Sequence, residues 1–159
     1  MSIRSILNSR RRQLHNQRGV AMVEFALVLP ILLIVLFGIF DFGRAINYWI
    51  DATHLANETA RYAAVGNKPT TCSGSLVSCM RAQADSGELV NGSSSVTQPL
   101  QVCVNAPGAT TVGTPITATA SFQYQWFSFL GLSVTTTTVS TSATMRLEHY
   151  DGSVVGCAS

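Results

Sequence analysis

At 159 residues the chain has room for one membrane segment and one small domain, which excludes a multidomain machine. Only 11% of its residues are charged, and a mean hydropathy of +0.27 is apolar for a wholly soluble protein. The net charge of +2 conceals an asymmetry, since Arg4, Arg10, Arg11, Arg12 and Arg18 give +5 up to Gly19 whereas the remainder carries −3.

Residues 1–19 read as a basic segment. Lys and Arg beside a span hold that end in the cytoplasm, so the rest of the chain is expected on the opposite side of the membrane. The arginines could instead bind nucleic acid, but no second basic patch and no aromatic-basic surface joins them, and no nucleic-acid partner is expected.

The apolar run from Val20 to Phe40 is 21 residues long. As a helix it measures about 31 Å, close to the ~30 Å hydrocarbon core of a bilayer, so 20–40 is predicted to be a transmembrane helix surrounded by lipid. A secretory signal has an apolar core of about 7–15 residues followed by an A-x-A-like site. Here the run is longer and exits through Asp41-Phe42-Gly43-Arg44, which offers no such site. The expected cut therefore precedes the run, after Gly19, where the missing side chain lets a protease approach the backbone. Glu24 is an acid inside a membrane segment, costing about 2.5–3.5 kcal/mol at the span centre. Its two readings are a functional ion partner and snorkelling to the nearby interface. Pro30 removes a backbone donor and is expected to kink the helix, or is simply tolerated there.

Asp41 and Arg44 mark the outer boundary of the span, with Tyr48 and Trp49 as interfacial anchors. Beyond it, Ala45, Trp49, Ala52, Ala56, Thr59 and Ala63 recur at three and four residues, so the helix is predicted to continue over 41–66. Asn47, Asp51, His54, Glu58 and Arg61 fall largely on its other faces, and Gly66-Asn67-Lys68-Pro69 supplies the stop.

Residues 67–159 form the predicted small α+β domain outside the membrane. A short helix is expected over 76–84, with turns at Ser86-Gly87, Asn91-Gly92 and Ser93-Ser94-Ser95. Three strands follow, over 100–105, 116–126 and 134–147. In the second, Phe122, Tyr124 and Trp126 alternate with Ser121, Gln123 and Gln125. The third is threonine-rich, and neither of its faces is clearly apolar. Trp126-Phe127-Ser128-Phe129-Leu130 breaks the alternation and reads either as core or as an exposed rim.

Cys72, Cys79, Cys103 and Cys157 all follow the span, on the side expected to be oxidising. Of three possible pairings the favoured one joins Cys72 to Cys79 in a local loop and Cys103 to Cys157 across the domain. No metal-binding spacing, nucleotide loop or nucleophile motif is present, so no cofactor, metal or catalytic residue is assigned and the chain is not expected to be an enzyme. Asp51, His54 and Glu58 share helical spacing but read as a solvated face.

The sequence Gly19-Val20-Ala21-Met22-Val23-Glu24-Phe25 matches the type IV prepilin cleavage signature. Together with Glu24-Phe25-Ala26-Leu27-Val28-Leu29-Pro30, Gly38-Ile39-Phe40-Asp41-Phe42-Gly43-Arg44 and Ala56-Asn57-Glu58-Thr59-Ala60-Arg61-Tyr62-Ala63-Ala64, it resembles the TadE-like minor pseudopilins of tight-adherence (Flp-type) pilus systems. The resemblance covers 18–65 closely and continues loosely at Ser142–Glu148.

It implies a pilin-like α+β fold, with a long N-terminal helix and a small antiparallel sheet on its outer half. It also implies a leader removed between Gly19 and Val20 by a prepilin peptidase, with Glu24 and Phe25 at the positions used in processing or assembly. The freed ammonium of Val20 lies four residues from Glu24 and could pair with it within or between chains. The partners implied are the peptidase, a TadF-like pseudopilin, the major Flp-type pilin and an inner-membrane assembly platform. The competing reading is an uncleaved single-pass anchor whose outer domain binds or supports something unrelated to pili.

Overall fold

The computed structural model describes the backbone of residues 3–106, 111–128, 131, 135–149 and 154–159, with side chains from Gly19 onward. Helix α1 runs Ile3–Ala64 with Pro30 inside it. Two compact units divide the chain at this helix, Met1–Phe40 and Asp41–Ser159.

In the first unit the side chains from Gly19 onward form a sleeve of exposed apolar residues, including Val20, Met22, Phe25, Leu27, Ile31, Ile34 and Ile39. Among the described residues these side chains remain exposed. The segment is long and apolar enough to cross a membrane and is compatible with a single-pass anchor.

In the second unit the remainder of α1 lies in the same apolar cluster as the sheet. Ala52, Ala56, Ala60 and Ala63 recur on one helix face and are fully buried. Small side chains there let the sheet approach closely. Thr59, also fully buried, satisfies its hydroxyl by donating to the Leu55 carbonyl at 2.6 Å. The helix stops in a two-bond cap, with Gly66 N–H donating to Ala63 O at 3.2 Å and Asn67 N–H to Tyr62 O at 3.1 Å. This geometry needs a left-handed residue after the last turn, and Gly66 supplies it at φ 63°. The Ala64 carbonyl also accepts from Glu148 N–H at 2.7 Å and His149 N–H at 3.2 Å, tying the helix end to the chain that follows the third strand.

Two short helices follow, α2 Leu76–Ala82 and α3 Gly87–Asn91, then strands β1 Val96–Asn105, β2 Pro115–Gln125, β3 Thr136–Arg146 and β4 Gly156–Ala158. They form an antiparallel four-stranded sheet in the order β3-β2-β1-β4. Ile116, Ala118, Ala120, Phe122 and Tyr124 turn to the core from β2, and Leu100, Val102 and Val104 from β1. Full burial of each large side chain contributes about 1.5–3 kcal/mol. Arg81 of α2 ties the second helix to the sheet, its Nε donating to Leu100 O at 2.8 Å and its Nη2 to Val90 O at 2.6 Å.

The architecture is therefore α+β, a long N-terminal helix followed by a small antiparallel sheet, as the sequence predicts. Three local expectations are corrected. Ser86-Gly87 and Asn91-Gly92 do not form separate turns but bracket α3, drawn into a helix by the fully buried Leu89. β1 begins at Val96 rather than Leu100, passing Pro99 where its ladder with β2 slips register between Gln98 and Gln101. A proline is tolerated at such an irregularity because no ladder donor is required of it. β4 was not foreseen, since three residues carry no periodicity; it exists by pairing with β1 at Val102, Cys103 and Val104.

Cys72 is bonded to Cys79, and Cys103 to Cys157. The second pair sits directly opposite in the β1–β4 register, with 4.1 Å between Cα atoms.

Candidate functional site

The sequence Asp41-Phe42-Gly43-Arg44, read above as a membrane exit, is where the folded unit begins. Asp41 is fully buried. A buried carboxylate is costly unless its oxygens are hydrogen-bonded, and both of these are. Tyr124 at the end of β2 donates its hydroxyl to Oδ1 at 2.7 Å, and the backbone N–H of Phe127 donates to Oδ2 at 2.9 Å. Phe127 has φ 57°, the only described non-glycine residue with positive φ. Such a conformation costs about 1–3 kcal/mol and persists where its surroundings fix it. Here the N–H bond to Asp41 holds the residue on one side. On the other, Trp126 N–H is held by Thr135 O at 3.0 Å.

Aromatic rings surround this acid. Phe42 stacks on Trp126 at 6.4 Å between centroids, and Tyr124 meets Trp126 edge-on at 5.0 Å. Tyr48 packs against Tyr124 at 5.9 Å and Phe122 at 6.3 Å. Burial, then the bond to Asp41, pushes the Tyr124 hydroxyl pKa well above its ordinary value.

One turn along, Arg44 links the helix to α3. Its Nη2 reaches Glu88 Oε2 at 2.9 Å and Tyr48 Oη at 3.1 Å, while the Tyr48 hydroxyl donates to the same Glu88 oxygen. The Tyr48 bond, and secondarily Arg44, holds the Glu88 carboxyl below its ordinary value. Burial and the Glu88 bond raise the Tyr48 hydroxyl in turn.

The expected interfacial anchors divide. Trp49 is half-exposed, but Tyr48 is only 4% exposed and is a core residue, because its phase on the helix turns it toward β2. Asp51, expected on a solvated face, is buried and caps the turn before α3, accepting from Asp85 N–H at 3.3 Å and Ser86 N–H at 3.1 Å. Asp51 and the exposed His54 line one cavity with Asn47, Ile50, Asp85 and Ser86, whereas Glu58 pairs with Arg61 at 3.3 Å, so the three do not form a single cluster. Among the described residues no cluster of three or more metal-ligating groups occurs.

The residues singled out for processing are open to solvent. Gly19, Val20, Glu24 and Phe25 are all exposed, and a Cβ added at Gly19 meets nothing within 4 Å. Packing among the described residues thus places no demand for glycine at that position. Trp126 and Phe127 are half-buried, neither core nor open rim, while Phe129 and Leu130 lie outside the described residues. So do the side chains of the five arginines that precede Gly19.

Sequence reasoning did not bring Tyr124, Phe127, Tyr48 and Glu88 together around the exit. The aromatic alternation in β2 was the available signal for Tyr124. No curated protein and no solved structure matches the chain. A family model does, described as TadE-like protein, over residues 19–61. That match starts at the exposed glycine, runs through the apolar sleeve and takes in Asp41, Arg44 and Tyr48, so across this segment the chain is similar to the TadE-like family.

Proposed function

We propose that this chain is a minor pseudopilin assisting assembly of a tight-adherence (Flp-type) pilus. In this reading it is a single-pass protein of the bacterial inner membrane, with its basic end cytoplasmic and the Asp41–Ser159 unit on the far side. A prepilin peptidase cuts between Gly19 and Val20, releasing the +5 leader and freeing the Val20 ammonium four residues from Glu24. The apolar helix then associates laterally with a TadF-like pseudopilin, the major pilin and the assembly platform. The protein's contribution is structural, with no catalytic step of its own.

The observation that carries this reading is the family match over 19–61. Two features support it: the glycine that packing among the described residues does not require, and the largely exposed apolar run from Val20 to Leu36. Intact-mass measurement of the full chain, expressed with and without a prepilin peptidase, tests it. The expected product begins at Val20 only when the peptidase is present, and a Gly19→Leu substitution should block the change. A protein that begins at Met1 in both cases overturns the processing claim and favours an uncleaved anchored protein.

A further inference from the structure

β3 is an edge strand of unusual openness. It pairs with β2 through eleven consecutive residue pairs without a bulge, from Pro115↔Arg146 to Gln125↔Thr136. Its other side has no neighbouring strand among the described residues. Alternate residues of such an edge aim their N–H and C=O groups outward. Natural proteins blunt long edges with proline, lysine, a bulge or a very short strand, and β3 has none of these. Its only charge, Arg146, sits at the end, donating to Gly113 O at 3.0 Å. Its inner face is also incompletely covered: Val139, Ala143 and Met145 pack on the core yet are only half-buried.

We propose that the free edge of β3 is a homodimer seam, at which two copies join antiparallel, β3 to β3, into one continuous sheet. Three observations select a second copy as the occupant. The sheet's other edge, β4, is three residues long, so head-to-tail addition would set three residues against eleven, whereas β3 matches β3 along its whole length. A two-fold axis at Thr141 pairs the strand with itself without conflict. Val139 then faces Ala143 and Met145 faces Thr137 on the inner side, Ser140 faces Ser142 and Thr138 faces Thr144 on the outer side, and Arg146 faces Thr136 rather than another arginine. The pairing also keeps odd-numbered residues opposite odd-numbered ones, so the half-buried inner faces of the two copies become continuous. This seam is a property of the Asp41–Ser159 unit and does not rest on leader processing or on pili.

The test uses the full chain in detergent micelles. Ser140→Cys chains mixed with Ser142→Cys chains are expected to form a disulfide-linked dimer on mild oxidation, since these exposed positions face each other across the seam. Ser140→Lys combined with Ser142→Lys places like charges opposite one another and is expected to raise the dimer dissociation constant about tenfold or more, read by native mass spectrometry. Retained circular dichroism shows that this variant still folds. The proposal is overturned if the mixed cysteines yield no dimer. It is also overturned if the dimer survives the paired lysines, which would assign association to the apolar helix, or if the cysteines capture a different chain, which would make the edge a partner's site.

Discussion

Replacing Tyr124 with Phe removes one oxygen from a fully buried polar contact in the folded unit. The ring is fully buried, and its packing against Tyr48 and Trp126 should persist because phenylalanine fills nearly the same volume. What is lost is the 2.7 Å donor to Asp41 Oδ1 and the weaker 3.2 Å contact to the Asp41 carbonyl. A hydrogen bond to a charged group contributes about 1.5–3 kcal/mol, and the stranded carboxylate oxygen puts this case in the upper half of that range. For a folded unit of roughly 120 residues, each kcal/mol moves Tm by about 3–5 °C, so Tyr124→Phe should lower Tm by about 7–15 °C. Thermal unfolding of the full chain in detergent, followed by near-ultraviolet circular dichroism under oxidising conditions, measures this. Combining it with Asp41→Asn should give a strongly non-additive double-mutant cycle, because both changes break one network. A loss below about 0.5 kcal/mol, or additivity within that margin, would refute the account of Asp41 as an acid held by the sheet. The same hydroxyl predicts a pH dependence. Its folded pKa is raised, so its contribution is complete below the ordinary tyrosine value of about 10 and fades as pH climbs above it. Alkaline unfolding should therefore be shallower in Tyr124→Phe than in the parent.

Three further outcomes can be measured on the same preparation. Replacing Cys103 and Cys157 with serine opens a loop of sequence separation 54, whereas Cys72 and Cys79 close one of only 7. On chain entropy the first bridge should contribute about 4 kcal/mol and the second about 2.5 kcal/mol, so denaturant midpoints should fall further for the first pair. Ala60→Leu forces three carbons into a fully buried helix face and should cost about 1–3 kcal/mol or more, whereas the same change at exposed Ala82 should stay within about 0.5 kcal/mol. Glu88 has a lowered pKa, so its contribution is present above the ordinary glutamate value and is lost as pH falls through the lowered one. Because this carboxylate is half-exposed, Glu88→Gln should cost under about 1 kcal/mol and flatten the acid limb of a stability–pH profile only slightly.

How far the sequence could be read depended on whether a signal was periodic or local. The helix was legible to within two residues of its end because Gly66-Asn67 supplies a cap, and β2 because Phe122 and Tyr124 alternate with polar residues. Composition alone predicted the transmembrane segment. β4 was illegible because three residues have no period, and α3 because its flanking Ser-Gly and Asn-Gly pairs speak more loudly than one buried leucine. Tyr48 was misread for a different reason. An aromatic residue just past an apolar run looks like a membrane anchor, and only the phase of the helix against β2 reveals that it faces inward while Trp49 faces out. The Asp41 site could not be assembled in advance, since its donors lie 83 and 86 residues away and one of them is a backbone N–H in an unusual conformation.

The fastening of α1 at both ends of the folded unit has a mechanical consequence. Asp41 is gripped by the end of β2 and Phe127, and the Ala64 carbonyl by Glu148 and His149, so about 36 Å of helix lies between two clamps on one sheet. A helix held at a single point can turn about its axis or slip along its groove. Held at both, it transmits torque without slipping, because a shift of one residue would swing every side chain by about 100° and release both grips together. The azimuth of Phe42, Ile46, Trp49 and Ile50, the apolar residues it shows to the outside, is thereby set by the sheet.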